Sequence, residues 1–369
     1  MPDETHPRVA DVIPRLQLRG AEVFAQQLES VLRNRYEMRL FPMYEGGTPA
    51  PIDGARLSVA PGVGAGPFAR PRAIRSLRRR AREFRPDLLV AHGGDPLRLA
   101  VLAGLRDPAP LVYVRVSAVS PQLRTGWRGS SLRAAYSRAD ALVAVSESLK
   151  NELIEAFGVP AEKVRVIRNG RLRREPIDPA DRVNVRESLS VAGDEVMLAW
   201  VGRMVPEKNP EEAVRLARAL NGEGLRARLV MVGDGPLEDR VRSLAQKLPQ
   251  VRFTGQRPDV HRLIAAADVF VSTSRTEGAP GAIIESLLAG TPVVAPRVGG
   301  IPEVVASGEN GVLFDPDDPS GLDGAVIGLI RDRARRAELA EGALRSSERF
   351  DIRTVAGEYD RLYRELLGR

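Results

Sequence analysis

Short apolar runs alternate with stretches in which apolar residues recur at helical spacing along nearly the whole chain. This is the pattern of strands buried on both faces and of amphipathic helices that cover them. In the first half, strands are predicted at 9–13, 88–91, 111–116, 141–145 and 164–167, and helices at 21–33, 72–84, 97–105 and 148–157. In the second half, strands are predicted at 196–201, 228–232, 251–254, 268–272 and 292–295, and helices at 210–220, 236–247, 259–266 and 281–289. The alternation predicts an α/β protein of two Rossmann-like domains with mainly parallel sheets facing a cleft, and ligands at the C-terminal ends of strands.

Between the halves, residues 170–195 carry Pro176, Pro179 and many charges, and Asn169-Gly170 has turn chemistry. The expected division is therefore 1–172 for the first domain and 190–350 for the second, with a terminal segment 351–369 whose helix packs back on the first domain. A length of 369 residues fits two such domains. No apolar run approaches the roughly 18 residues of a membrane span, and the N-terminus lacks a basic segment followed by an apolar one, so no signal peptide is expected. The chain has no cysteine, which excludes disulfides, thiolate metal sites and cysteine nucleophiles and is compatible with the cytosol.

The net charge of +7 is carried almost entirely by arginine, the lysines being only Lys150, Lys163, Lys208 and Lys247. A coding preference for arginine explains it, and the functional alternative is an anionic partner. One helix concentrates the charge. Arg75, Arg78, Arg79 and Arg82 share one stripe of the segment 70–85, while Ile74, Leu77, Ala81 and Phe84 share another. The segment reads as a surface helix packed by its apolar stripe, or as a basic platform that touches a phosphorylated ligand or an anionic membrane, with the protein then peripheral on the inner face. No aromatic residues interleave with the arginines, which argues against nucleic acid.

The most informative stretch is 274–305, S-R-T-E-G-A-P-G-A-I-I-E-S-L-L-A-G-T-P-V-V-A-P-R-V-G-G-I-P-E-V-V. A predicted strand ends before it, and the small-residue loop Glu277-Gly278-Ala279-Pro280-Gly281 leads into a helix. Small residues let a ligand approach the backbone, and a helix start favours phosphate. Glu285 lies four residues past Gly281 on the same helix face, and Glu277 stands in the loop, so two carboxylates bracket the site. Carboxylates accept hydrogen bonds and suit sugar and ribose hydroxyls.

This region resembles the E-x7-E signature of glycosyltransferase family 4. The resemblance extends to Val201-Gly202-Arg203 through Lys208-Asn209-Pro210, to Val232-Gly233-Asp234-Gly235-Pro236, to Phe253-x-Gly255 and to Ala267-Asp268 through Ser272. In the first half Gly20-Ala21-Glu22, Ala139-Asp140-Ala141 and Val145-Ser146-Glu147-Ser148 also fit. The resemblance implies the GT-B fold and a retaining transfer of a hexose from a UDP- or GDP-sugar to a glycan, glycolipid or lipid-linked acceptor. It implies that Arg203 and Lys208 neutralise the donor diphosphate, that Glu277 holds the transferred sugar and that Glu285 holds the ribose. Backbone amides of Ala279, Pro280, Gly281 and Ala282 would contact sugar or phosphate, with Gly278 and Gly202 also in the donor-binding set. Gly20 would let a first-domain loop approach the phosphate, and Arg257 would stand near the base.

The chain departs from the family in two places. Arg19 replaces a glycine before Gly20, and the segment Tyr113-Val114-Arg115-Val116-Ser117 lacks a histidine that many relatives carry. A histidine contact from there therefore fails and Arg115 or Ser117 must do something else, while His92, after the strand 88–91, either faces the cleft or is a loop or capping histidine. No cofactor is expected, because the nucleotide-sugar donor is itself a substrate, and no metal either. Asp315-Pro316-Asp317-Asp318 reads as a loop and helix cap, and Arg203 with Lys208 supplies the charge of a cation. A nucleotide-sugar epimerase of similar fold and a non-catalytic sugar-nucleotide-binding protein are the competing readings.

Overall fold

The computed structural model describes residues 6–17, 20–46, 58–64, 66, 68–105, 109–117 and 126–369. Arg19 lies outside them. The chain divides into two units, Met1–Gly170 with Ile352–Arg369, and Arg171–Asp351.

The first unit is built on six parallel strands, β1 (Arg8–Ile13), β2 (Glu37–Pro42), β3 (Leu88–His92), β4 (Leu111–Arg115), β5 (Ala141–Ala144) and β6 (Val164–Val166), in the order β2-β1-β3-β4-β5-β6. β2 is a strand the apolar pattern did not predict. Its sequence EMRLFP mixes charge into the strand, which pairs with β1 in the sheet and bridges Val59 through Leu40. The helices are α1 (Gly20–Leu32), α2 (Ala69–Phe84), α3 (Gly94–Leu102), α4 (Gly126–Ser137) and α5 (Glu147–Glu155). α2 exposes Arg75, Arg78, Arg79 and Arg82 and buries Leu77, Ala81 and Phe84, as its two stripes predict, but Ala73 takes the buried place expected of Ile74, which is half-buried. Arg80 instead turns inward and donates to the carbonyls of Pro42 (3.1 Å) and Pro61 (2.6 Å), and burial pushes its pKa down to about 10.

The second unit opens with α6 (Pro179–Ser188), inside the stretch read from sequence as an interdomain segment. Asp178 caps it, with Pro179 in the first turn, and it buries Val185 and Leu189 in the second unit's core. The strands β7 (Val196–Val201), β8 (Ala227–Val232), β9 (Val251–Gly255), β10 (Val269–Val271), β11 (Val293–Pro296) and β12 (Gly311–Phe314) form a second parallel sheet in the order β12-β11-β10-β7-β8-β9. Helices α7 (Pro210–Gly222), α8 (Glu238–Leu244), α9 (Val260–Ala266), α10 (Gly281–Leu288), α11 (Pro319–Arg331) and α12 (Arg333–Ser347) cover it. Alternate residues of β7 go to the two faces: Leu198 and Trp200 join one apolar cluster, Met197 and Ala199 the other. That is why the strand reads as a continuous apolar run. α13 (Ile352–Leu367) then returns to the first unit and packs on α1, with Phe24 and Tyr359 ring centroids 5.6 Å apart and Tyr36 donating to Asp360 at 2.9 Å.

A recurrent device sets strand register. Asp87 accepts from the amide of Arg8, Asp140 from that of Leu111 and Asp268 from that of Met197, at 2.8, 2.8 and 2.7 Å. Each carboxylate precedes one strand and holds the start of its neighbour. Asp268 also pairs with Arg182 and Arg186, which binds α6 to the sheet.

Beneath α1 lies a buried polar cluster. His92 and Asp11 are in contact at 3.1 Å, both side chains fully buried, and Glu29 is 2% exposed. Burial raises the Glu29 carboxyl from its ordinary 4.5 to about 7, against a hydrogen bond from the Ser58 backbone that lowers it. The folded chain therefore holds a proton on Glu29 that the unfolded chain releases between those two values, so this group's contribution falls as pH rises from about 4.5 to about 7. The loss amounts to roughly 3 kcal/mol. Denaturant titrations at pH 5 and pH 8 are expected to show this decline in the wild type and to show it flattened in Glu29→Gln.

Candidate functional site

In an open parallel sheet, ligands bind outside the C-terminal ends of the strands where the strand order reverses. In the second unit that point lies between β7 and β10, since the chain runs outward from β7 through β8 to β9 and then returns to the other side of β7. The loops after β7 and β10 carry Gly202, Arg203, Lys208 and Glu277.

Their joint is Thr273. Its hydroxyl accepts from the indole nitrogen of buried Trp200 at 3.0 Å and faces the carbonyls of Lys208 (3.0 Å) and Asn209 (2.9 Å). Asn209 takes a left-handed conformation, φ 47°, and places Pro210 in the first turn of α7. The amide of Arg275 donates to the Glu207 carbonyl at 2.8 Å, so the two loops are stitched twice. On this frame the Lys208 ammonium pairs with Glu277 Oε1, which also accepts from the Ser274 hydroxyl at 2.8 Å. The Glu277 carbonyl accepts from the Gly300 amide at 3.0 Å. Lys208, Ser272, Ser274, Glu277, Pro280 and Ala282 line a small cavity whose floor includes Trp200.

Arg203 stands at the open side. It is exposed and makes no ion pair or side-chain hydrogen bond among the described residues. Its loop is held from behind: the Gly202 amide donates to the Val232 carbonyl at 3.0 Å and the Met204 amide to that of Asp234 at 2.6 Å. Gly233, at φ +125°, makes this approach feasible, because a Cβ there would lie 2.0 Å from the Gly202 oxygen. The glycines of the Gly233-Asp234-Gly235-Pro236 turn thus shape the Arg203 loop.

The amides expected at the start of α10 need correction. Pro280 has no N–H, and its φ −78°, ψ 74° make an inverse γ-turn in which the Gly281 amide donates to the Ala279 carbonyl at 2.9 Å. Ala282 and Ile283 are the first-turn donors that no helical carbonyl reaches. Gly278 is buried in the loop and Ala279 half-buried. Further along α10, Glu285 is half-buried and paired with Arg171 at 3.0 Å. Burial raises its carboxyl, and Arg171 opposes the rise.

The remaining candidates lie elsewhere. Arg257 follows β9, one strand beyond β8, with its fork closed on Asp259 at 2.8 and 2.7 Å. Gly20 opens α1 in the first unit. His92 is sealed against Asp11, and Arg115 is 1% exposed, pairing with Glu152 at 2.5 Å and donating to Tyr136 at 3.2 Å. Both are internal supports. Ser117 is exposed. Asp318 caps α11 by accepting from the Ser320 amide. Among the described residues no three His, Asp or Glu side chains converge on a metal-sized site. Sequence reasoning missed Trp200, Thr273, Ser274 and Arg171. The small polar run Ser272-Thr273-Ser274 at a strand end was a visible signal, whereas Arg171 was hidden in the interdomain stretch.

Residues 181–345 match the family model described as Glycosyl transferases group 1, and residues 18–171 match Glycosyltransferase Family 4. The D-inositol 3-phosphate glycosyltransferase of Acidothermus cellulolyticus is 36% identical to this chain over 58% of this chain and 50% of its own length. The glycogen synthase of Mycobacterium tuberculosis H37Rv is 29% identical over 76% of this chain and 69% of its own. This chain thus spans half the length of the first of these relatives. Anabaena HepE, solved with UDP-glucose, superposes with a TM-score of 0.83 at 25% identity, covering 98% of this chain and 100% of that one. Sucrose-phosphate synthase of Thermosynechococcus elongatus gives a TM-score of 0.83 at 20% identity over 98% and 100%, a likeness of fold. The architecture is the two-domain GT-B fold.

Thr273→Val keeps the shape of the joint and removes its hydroxyl, leaving the Trp200 N–H buried without an acceptor. The variant is expected to lose about 1–3 kcal/mol in a denaturant titration.

Proposed function

Because the chain belongs to glycosyltransferase family 4, we propose that it transfers a hexose from a UDP-sugar, with retention of anomeric configuration, to a hydroxyl of a glycan, glycolipid or lipid-linked acceptor. The observation that carries this reading is the Lys208–Glu277 pair held beside exposed Arg203 at the C-terminal ends of β7 and β10. Two cations there meet the charge that grows on a diphosphate as its bond to the sugar breaks. The Arg203 fork suits phosphate oxygens, and the Lys208 ammonium acts as a point charge. Glu277 offers acceptor oxygens to the sugar, and the first turn of α10 favours the anion. The UDP-glucose bound by Anabaena HepE supports UDP over GDP as the nucleotide.

In the proposed step the sugar C1–O bond to the diphosphate breaks and a C1–O bond to the acceptor forms on the same face. The acceptor proton passes to the departing phosphate oxygen. Arg203 and Lys208 supply the positive charge, and the reading includes no metal.

The acceptor side is proposed to lie at an anionic membrane, with the protein peripheral. No helix among the described residues is long and apolar enough to cross a bilayer. On α2, Arg75 and Arg82 are exposed with no ion pair among the described residues, and Arg79 reaches Glu83 only at 3.9 Å. Arg78 donates to the carbonyls of Ala103 and Leu102, and the Leu102 side chain is itself exposed. Exposed Phe68 precedes α2, and exposed Trp127 lies in α4, which packs on α3. Such apolar tips beside cations suit a headgroup layer. Each arginine near that surface contributes about 1 kcal/mol, an attraction that salt screens.

The reaction is tested by release of UDP from a panel of UDP-sugars. Turnover is expected in the presence of EDTA, with Lys208→Ala and Glu277→Ala each lowering it by roughly 10² while denaturation curves stay cooperative. Near wild-type turnover in either variant overturns that residue's role, and turnover abolished by EDTA overturns the metal-free step. For the membrane, co-sedimentation with anionic vesicles is expected at low salt and lost at high salt and in a variant with Arg75, Arg79 and Arg82 changed to Glu. Failure to pellet at low salt refutes membrane docking.

A further inference from the structure

Arg171 is the first residue of the second unit. Its amide donates to the Phe350 carbonyl at 2.9 Å and it bridges to Asp351, so its backbone is fixed. Its side chain is 2% exposed. The guanidinium packs against Gly281: a Cβ at that glycine would sit 2.2 Å from Nη2 and 2.9 Å from Cζ. From there Nε donates to Glu285 Oε1 at 3.0 Å.

Two features separate this pair from an ordinary structural salt bridge. The pair is asymmetric, with the cation sealed at 2% exposure and the carboxylate left 29% exposed. Arginine is thus the buried support and Glu285 the face presented to solvent. The cation also lies against the first turn of α10, where the helix dipole disfavours positive charge. Burial of a guanidinium adds to that cost. A locally unfavourable arrangement that survives points to a site.

We propose that Arg171 is a positioning residue of the donor site, holding the Glu285 carboxylate ionised and aimed for the ribose hydroxyls of the nucleotide. This rests on the donor-site reading above. Glycine at 281 is required so that the guanidinium can reach its place. The charged groups that act on Glu285 are Arg171 and Arg174, both of which favour its ionised form against burial. Removing Arg171 therefore leaves burial opposed only by Arg174, and the carboxyl takes up its proton at a higher pH than before.

Calorimetry on the full chain with UDP, 2′-deoxy-UDP and pyrophosphate, from pH 6 to pH 8, tests this. The wild type is expected to prefer UDP over 2′-deoxy-UDP by about tenfold, the scale of a hydrogen bond to a charged group. Arg171→Met is expected to weaken UDP by about tenfold or more, to bring the preference near unity and to lose most affinity at pH 6. Pyrophosphate, which has no ribose, is expected to bind as before. Arg171→Lys is expected to restore the wild-type pH profile. A Met variant that keeps the ribose preference and pH profile overturns the proposal, as does one that loses UDP and pyrophosphate alike, because that marks a general structural role. A wild type that binds UDP without ribose preference overturns it too, whereas a wild type that binds no UDP overturns the donor-site reading itself.

Discussion

The hydroxyl of Thr273 joins two loops that the sheet alone would leave independent. β7 and β10 are adjacent strands, yet the chain between them passes through β8, β9 and three helices. Nothing in strand pairing sets the distance from Lys208 to Glu277. Thr273 sets it, because one oxygen reaches Trp200 on one side and the backbone of Lys208 and Asn209 on the other. The left-handed Asn209 and the Gly300 contact to Glu277 complete the frame. Charge is then presented by backbone geometry, which needs little rearrangement when a ligand charge arrives.

The same economy appears in how the sheets are assembled. Asp87, Asp140 and Asp268 each bind the amide at or near the start of a neighbouring strand. Two of them follow an alanine that closes a helix–strand connection. Their recurrence explains why an Ala-Asp pair before an apolar run is informative in both halves: the aspartate fixes register where a slip would turn core residues outward.

What the sequence disclosed follows the range of the interactions. β7, β8 and the start of α10 were legible because buried parallel strands and helix starts are local in pattern. β2 was not, since Glu37 and Arg39 interrupt its apolar residues and its place is decided by pairing with β1. α6 was read as connecting chain because of its prolines and charges, yet Pro179 belongs to a helix start and the arginines find Asp268 some eighty residues away. Arg203, Lys208, Glu277 and Glu285 were found as motif positions. Arg171 was not, because its partner lies 114 residues downstream. Pro280 has no N–H to offer, which the sequence already says, whereas the Gly281 amide is taken by Ala279 through a backbone angle that composition does not reveal.

The return of α13 makes the first unit discontinuous while the second is one unbroken segment. During synthesis, residues 171–351 emerge whole and can fold on the ribosome before the first unit is complete. The earlier unit must wait, with the α1 side that Tyr359 and Tyr363 will cover still open to water. At roughly 5–20 residues per second that interval lasts about ten seconds or more. The nascent chain thus carries an apolar, chaperone-accessible face for the time taken to translate its own second half, and any slowing of that stretch lengthens the exposure.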